Sequence, residues 1–92
     1  MPKRIDANQR MIVRALRDTG VSVQSLADLG RGVPDLLCGY KGRNVLMEVK
    51  DSSQPPSRRR LTEDEQNWHD KWRGQVVVVE TVEDALRVIG II

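Results

Sequence analysis

The sequence predicts a single α/β domain, with a mixed central sheet flanked by helices in the order α-β-β-β-α-β-α. Three observations predict it. Apolar residues recur at helical spacing near the start of the chain, two β-rich runs flank a glycine-containing turn at residues 41–44, and four consecutive valines follow a second helical segment. Because that segment separates the last two strands, we expect a crossover connection and parallel pairing.

The first helix is predicted over residues 7–18. Asp6 and Gln9 have the spacing of a capping box with Asp6 at the N-cap, and Gly20 supplies a stop signal. Residues 21–27 are β-rich and predict a strand, whereas residues 28–32 predict a turn that carries Arg31.

A hairpin is predicted around the next turn. With Gly42 and Arg43 as its two central residues, a type II′ turn makes facing positions sum to 85, so that Asp35 opposes Lys50 and Leu37 opposes Glu48. Residues that face each other, or lie two apart on one strand, share a side of the sheet. The register therefore predicts that Asp35, Glu48 and Lys50 project from the same face.

The second half of the chain completes the predicted sheet. Residues 51–60 hold two prolines and three arginines, which predicts an exposed loop. Thr62 and Glu65 form a second capping-box pattern, and the helix they begin should run to about residue 73, with Trp68 and Trp72 packed on the sheet. The strand at 75–80 and a helix at 82–89 follow.

Composition and charge narrow the class of protein. A chain of 92 residues with one cysteine, Cys38, has no internal disulfide, and we expect it to be cytoplasmic, because neither a membrane span nor a signal peptide is apparent. Residues 1–60 carry 12 Lys and Arg against 6 Asp and Glu, whereas residues 61–92 carry 3 against 7. This uneven distribution hints at a polyanionic partner.

Two carboxylates held close together favour a bound proton or cation. Mg²⁺ fits a site with few protein oxygen ligands and several waters, so Asp35 and Glu48 are candidate ligands. The alternative interpretation of the same residues is an exposed strand end with an Asp35–Lys50 salt bridge, which contributes about 0–1 kcal/mol.

The residues Pro34-Asp35 and Glu48-Val49-Lys50 resemble the two defining motifs of the PD-(D/E)xK nuclease superfamily. The chain is similar in particular to the stand-alone VRR-Nuc domains of bacteriophages, because further segments ("LTEDEQ", "GQVVVV" and "VEDAL") follow in that family's order over nearly the whole chain. The resemblance implies a restriction-endonuclease-like core, and a host-cell location if the chain is phage-encoded.

The same resemblance implies roles for individual residues. Asp35, Glu48 and the backbone carbonyl of Val49 would bind Mg²⁺, with Mn²⁺ able to substitute. Lys50 would act beside them, and we favour an electrostatic and water-orienting role for it over general base catalysis. The remaining candidates are the helix residue Gln66, which matches a family glutamine beside the site, and Asp6, a possible metal ligand whose place Gln9 could also take.

The resemblance further implies a structure-selective DNA endonuclease, which we expect to resolve four-way (Holliday) junctions as a homodimer. The alternatives are a flap or nicking endonuclease, a catalytically silent DNA-binding accessory protein and a metal-binding structural module. Six basic residues are candidate phosphate contacts: Arg31, Lys41, Arg43, Arg58, Arg59 and Arg60. We expect His69 and Cys38 to be surface or packing residues.

Overall fold

The computed structural model of the chain describes residues 6–92. The prediction of a mixed α/β fold is confirmed, since the structure combines a four-stranded mixed sheet with helices. Within residues 6–92, no helix combines the length and the apolar character that crossing a membrane requires. The elements are α1 (Ala7–Asp18), β1 (Ser22–Ser25), β2 (Leu36–Tyr40), β3 (Arg43–Val49), α2 (Pro56–Arg59), α3 (Glu63–Lys71), β4 (Val76–Val79) and α4 (Val82–Ile89).

Two short helical segments add to the predicted elements. A 3₁₀ helix at Ala27–Leu29 occupies the turn before β2, and α2 interrupts the segment predicted as a loop over residues 51–60. Pro56 is the first residue of α2, a position where the missing proline N–H removes no helical hydrogen bond. The arginines of this segment are therefore partly helical.

The sheet has the strand order β1-β2-β3-β4. β1 pairs with β2 and β2 with β3 in antiparallel fashion, whereas β3 and β4 run parallel, as a crossover through α3 requires. One face of the sheet forms the core with α1 and α4. The fully buried side chains of this core include Ile12, Leu16, Leu36, Cys38, Met47, Val79 and Ile89.

The observed hairpin register corrects the prediction. Leu36 pairs with Met47 and Tyr40 pairs with Arg43, so facing positions sum to 83 instead of 85. The turn residues are Lys41 and Gly42, both with positive φ (50° and 77°), as in a type I′ turn. The predicted pairs Asp35–Lys50 and Leu37–Glu48 are therefore wrong, and the register places Asp35 beside Glu48.

The second face of the sheet is covered less completely. Trp68 and Trp72 stack on each other with ring centroids 4.5 Å apart, and both line a groove of about 540 Å³ with Leu37 and Leu46 of the sheet. Trp72 is 46% exposed, so the predicted packing of both indoles on the sheet is only partly realised. Leu37 and Val78 are also exposed on this face.

Candidate active site

Asp35 and Glu48 lie side by side where β2 begins and β3 ends. The Val49 N–H donates to Asp35 Oδ2 at 2.8 Å, and the Asp35 N–H donates to Glu48 Oε2 at 3.2 Å. Each carboxylate is thus held by a backbone N–H of the opposite strand. Glu48 is 1% exposed, which is rare for a glutamate and requires compensating contacts.

Lys50 extends from the end of β3 toward α3. Its Nζ lies 2.7 Å from Glu65 Oε1, and the two side chains are 13% and 20% exposed. Among residues 6–92, the ion pair formed by Lys50 is with Glu65, so the alternative interpretation of an Asp35–Lys50 salt bridge is wrong. The amine and three carboxylates meet in one enclosed cluster.

Glu65 is a site residue that the sequence analysis missed. It occupies the N3 position of α3, where its Oε1 accepts a bond from the Thr62 N–H at 2.9 Å while Thr62 Oγ1 accepts from the Glu65 N–H at 3.2 Å. The capping-box pattern was visible in the sequence as a helix start. It also fixes the direction of the Glu65 side chain, and that direction leads to Lys50.

The carboxylates of this cluster have opposite protonation tendencies. Burial, reinforced by hydrogen bonds to Glu65 and Asp35 and by their charges, raises the pKa of Glu48 to about 10. Burial also opposes the charge of Glu65, but hydrogen bonds with Glu48, Lys50 and the Thr62 backbone outweigh it and lower the Glu65 pKa to about 2. Without a cation, Glu48 is therefore neutral and Glu65 charged at neutral pH.

The structure does not bring Gln66 to this cluster. Its Nε2 donates to Asp70 Oδ1 at 2.8 Å along the exposed side of α3. One residue of helix turns a side chain by about 100°. The residue of the "LTEDEQ" segment that reaches the site is therefore Glu65.

The first turn of α1 lies beside the site. Asp6 is the N-cap, with Oδ1 accepting from the Gln9 N–H at 2.8 Å, and it also lines a pocket of about 350 Å³ with Val49, Lys50 and Arg58. The exposed Asp6 side chain therefore caps α1 and also lies next to the candidate site, the two positions predicted for it.

Two amides on α1 complete this region. Asn8 Nδ2 donates to the Lys50 and Glu80 carbonyls at 2.8 and 3.0 Å, which ties α1 to the ends of β3 and β4. Gln9 is 7% exposed, and its Nε2 has no hydrogen-bond partner within the described part of the chain.

The predicted phosphate contacts divide into two groups. Arg58 lines the pocket with Lys50, and Arg31 precedes Gly32, which is packed against the first turn of α3. Arg60 follows α2 and is exposed, whereas the Nε of Arg59 is enclosed and has no partner among residues 6–92.

Lys41 and Arg43 form the second group, at the opposite end of the hairpin from the carboxylates. Arg43 donates to the Ile89 carbonyl at 2.9 Å, so it caps the end of α4, and the Lys41 amine lies 5.3 Å from the centre of the Tyr40 ring. The structure therefore does not place these two residues beside the site.

The oxygen donors present are compatible with Mg²⁺. Among residues 6–92, no group of three or more His, Cys, Asp or Glu side chains is arranged as a self-sufficient metal site. Mg²⁺ binds through one or two carboxylates and keeps several waters, and the buried Glu48 carboxyl beside Asp35 already favours a bound positive charge.

Cys38 lies away from this cluster. It is fully buried in the core, and burial raises the pKa of its thiol to about 11.

Comparisons of the chain with protein-family models, with curated proteins and with solved structures found no match.

Proposed function

We propose that this chain is a metal-dependent DNA endonuclease with a restriction-endonuclease-like core. The observation that carries the proposal is the enclosed cluster at the ends of β2 and β3, where Asp35 and Glu48 lie side by side. Lys50 joins this cluster through Glu65, which contacts both the Lys50 amine and Glu48. A protein that only binds a polyanion gains nothing from acidic side chains at its binding surface. Carboxylates beside an amine suit the hydrolysis of a phosphodiester bond.

Asp35, Glu48 and the Val49 carbonyl would hold Mg²⁺, and Mn²⁺ would substitute for it. When bound, the ion lowers the pKa of a coordinated water and offsets charge on the phosphate. Glu48 has to release its proton to act as a ligand, because burial keeps it neutral in the metal-free protein.

Lys50 supplies a fixed positive charge to the reacting phosphate. Its ammonium group can donate to a phosphate oxygen or to the attacking water, and the ion pair with Glu65 restricts where it points. Arg58, which lines the neighbouring pocket together with Lys50, would contact a phosphate. By resemblance, hydrolysis leaves a 5′-phosphate and a 3′-hydroxyl.

The proposed substrate is branched DNA, and the proposed assembly is a homodimer acting in the cytoplasm. A two-fold pair of small domains sets two identical sites against two equivalent strands, which is the symmetry of a four-way junction.

The test is a cleavage assay with labelled junction, flap, nicked and linear DNA, in Mg²⁺ and in chelator. Paired symmetric nicks in the junction, lost in chelator and in Lys50→Ala, are the expected result. Cleavage confined to flaps or nicked duplex would instead support the flap or nicking alternative. Tight DNA binding with no metal-dependent cutting of any substrate would overturn the nuclease proposal in favour of a silent accessory protein.

A further inference from the structure

A groove on the outer side of α1 carries three arginines. Arg10, Arg14 and Arg17 are four and three residues apart, so they lie on one side of the helix, and all three are exposed. The groove has a volume of about 470 Å³ and is bounded by α1 and β1, with Val23 and Leu36 contributing to its apolar lining. None of these arginines was among the predicted DNA contacts.

Both walls of this arginine groove are connected to the candidate active site. On the helix side, Gln9 lines the groove, and the preceding residue, Asn8, donates to the Lys50 carbonyl at 2.8 Å. On the strand side, Ser25 lines the groove, and the next residue, Leu26, donates its N–H to the Asp35 carbonyl at 2.8 Å. The groove therefore begins at the same end of the strands as the site, on the side of the sheet that packs against α1, and runs away from that end along α1.

The charge and length of the groove match a DNA backbone. Arg10 and Arg17 are seven residues apart, about 10 Å along a helix, and one strand of B-form DNA carries about three phosphates over that length. Asp18 is the acidic residue among those that line the groove, and it lies at the end remote from the site. Its carboxylate is 3.9 Å from Arg14 Nε in an exposed pair, which phosphate can displace at little cost.

We propose that the arginine groove binds the phosphate backbone of a duplex arm that leaves the active site, with Arg14 and Arg17 as direct contacts. This inference rests on the proposed nuclease function for its substrate and adds the path of the DNA, which runs along α1 instead of over the hairpin turn at Lys41. Since the contacts are to phosphates, they position the duplex and do not read its sequence.

The test measures binding of a fluorescent four-way junction by anisotropy, in chelator and over a series of salt concentrations. Each phosphate contact contributes about 0.9 to the slope of log K against log salt concentration, so Arg14→Gln/Arg17→Gln should reduce that slope by about 2. Lys71→Gln/Arg73→Gln removes the same charge from exposed positions outside the groove, and it should leave the slope unchanged.

Arg14→Glu serves as a second variant, because the Arg14 side chain is 86% exposed and its replacement should not affect the fold. It should reduce the slope by about 1 with an unchanged unfolding temperature. Equal slopes for the groove variant and its charge-matched control would overturn the proposal that the groove binds the DNA backbone. If the wild type cuts junctions but the groove variants keep the wild-type salt dependence, only the groove proposal is wrong. If the groove variants have a smaller slope but the wild type never cuts DNA, only the nuclease proposal is wrong.

Discussion

Glu48 is the residue whose chemistry most constrains the site. It is 1% exposed, and burial with hydrogen bonds to Glu65 and Asp35 raises its pKa from 4.5 to about 10. A group whose pKa is raised by folding contributes stability that is complete below its unfolded-state pKa and is lost as the pH rises toward the folded-state value. The metal-free protein should therefore lose stability between about pH 5 and pH 10.

Glu48→Gln should stabilise the metal-free protein at about pH 8, because the amide has the shape of the protonated carboxyl and carries no proton to lose. The advantage over the wild type should shrink toward about pH 5, changing by at most about 1.4 kcal/mol per pH unit. Thermal unfolding in chelator at both pH values measures this. A variant that is equally destabilised at both would contradict the assigned protonation of Glu48.

Glu65→Ala should lower both stability and cleavage. It leaves the Lys50 amine enclosed without its partner and breaks half of the capping box, a combined loss of about 1–3 kcal/mol in the free energy of unfolding. Glu63→Ala is the matched control, since Glu63 is an exposed acid in the same helical turn. Urea unfolding and junction cleavage should show a larger loss of stability and activity in Glu65→Ala than in Glu63→Ala. Equal losses would show that Glu65 has no specific role at the site.

Among the elements, the contact between the β1–β2 loop and α3 sets the position of Glu65. Gly32 has a φ of 81°, and a Cβ added there would overlap the backbone carbonyl of Asp64. Gly32→Ala should therefore displace the start of α3 and cost about 1–3 kcal/mol, with a fall in cleavage. Gly30→Ala is its control, because Gly30 also has positive φ but faces open space. Cleavage that falls equally in both variants would show that backbone strain, and not the position of α3, is responsible.

The hairpin shows how far sequence reasoning reaches at this scale. The wrong choice of turn residues shifted the register by two positions, which leaves every side chain on its own face, so the shared face of Asp35 and Glu48 was still predicted. The turn type itself was not predictable from propensity, because Lys41 adopts a positive φ that lysine seldom takes.

Helix α3 shows the opposite outcome. The sequence analysis named Gln66, whereas the side chain that reaches the site is that of Glu65, one residue earlier. Because a helix turns by about 100° per residue, neighbouring side chains point to different sides of it. The distant contacts of Asn8 with Lys50 and of Arg43 with Ile89 join residues far apart in the chain. No local pattern encodes either contact.

For the whole molecule, the incompletely covered face of the sheet bears on the proposed homodimer. Trp72, Leu37 and Val78 are 46%, 36% and 42% exposed on this face. A second copy would bury them, and a stable interface needs about 800 Å² from each partner. We therefore expect the protein to have twice its chain mass of 10.4 kDa in solution, and Trp72→Glu to have the mass of one chain. Light scattering after size-exclusion chromatography measures both masses; a wild type that stays monomeric at high concentration would contradict the homodimer.

The central claim is that Asp35, Glu48 and Lys50 together support hydrolysis of a DNA phosphodiester bond. Single-turnover cleavage of a four-way junction at saturating protein, measured across a Mg²⁺ titration, tests it most directly. The wild type should cut with a rate that saturates in Mg²⁺, and Lys50→Ala should bind the junction equally well but cut about 100-fold or more slowly. Lys71→Gln, which removes an exposed lysine charge elsewhere, should match the wild type. Equal rates for the wild type and Lys50→Ala would contradict the account.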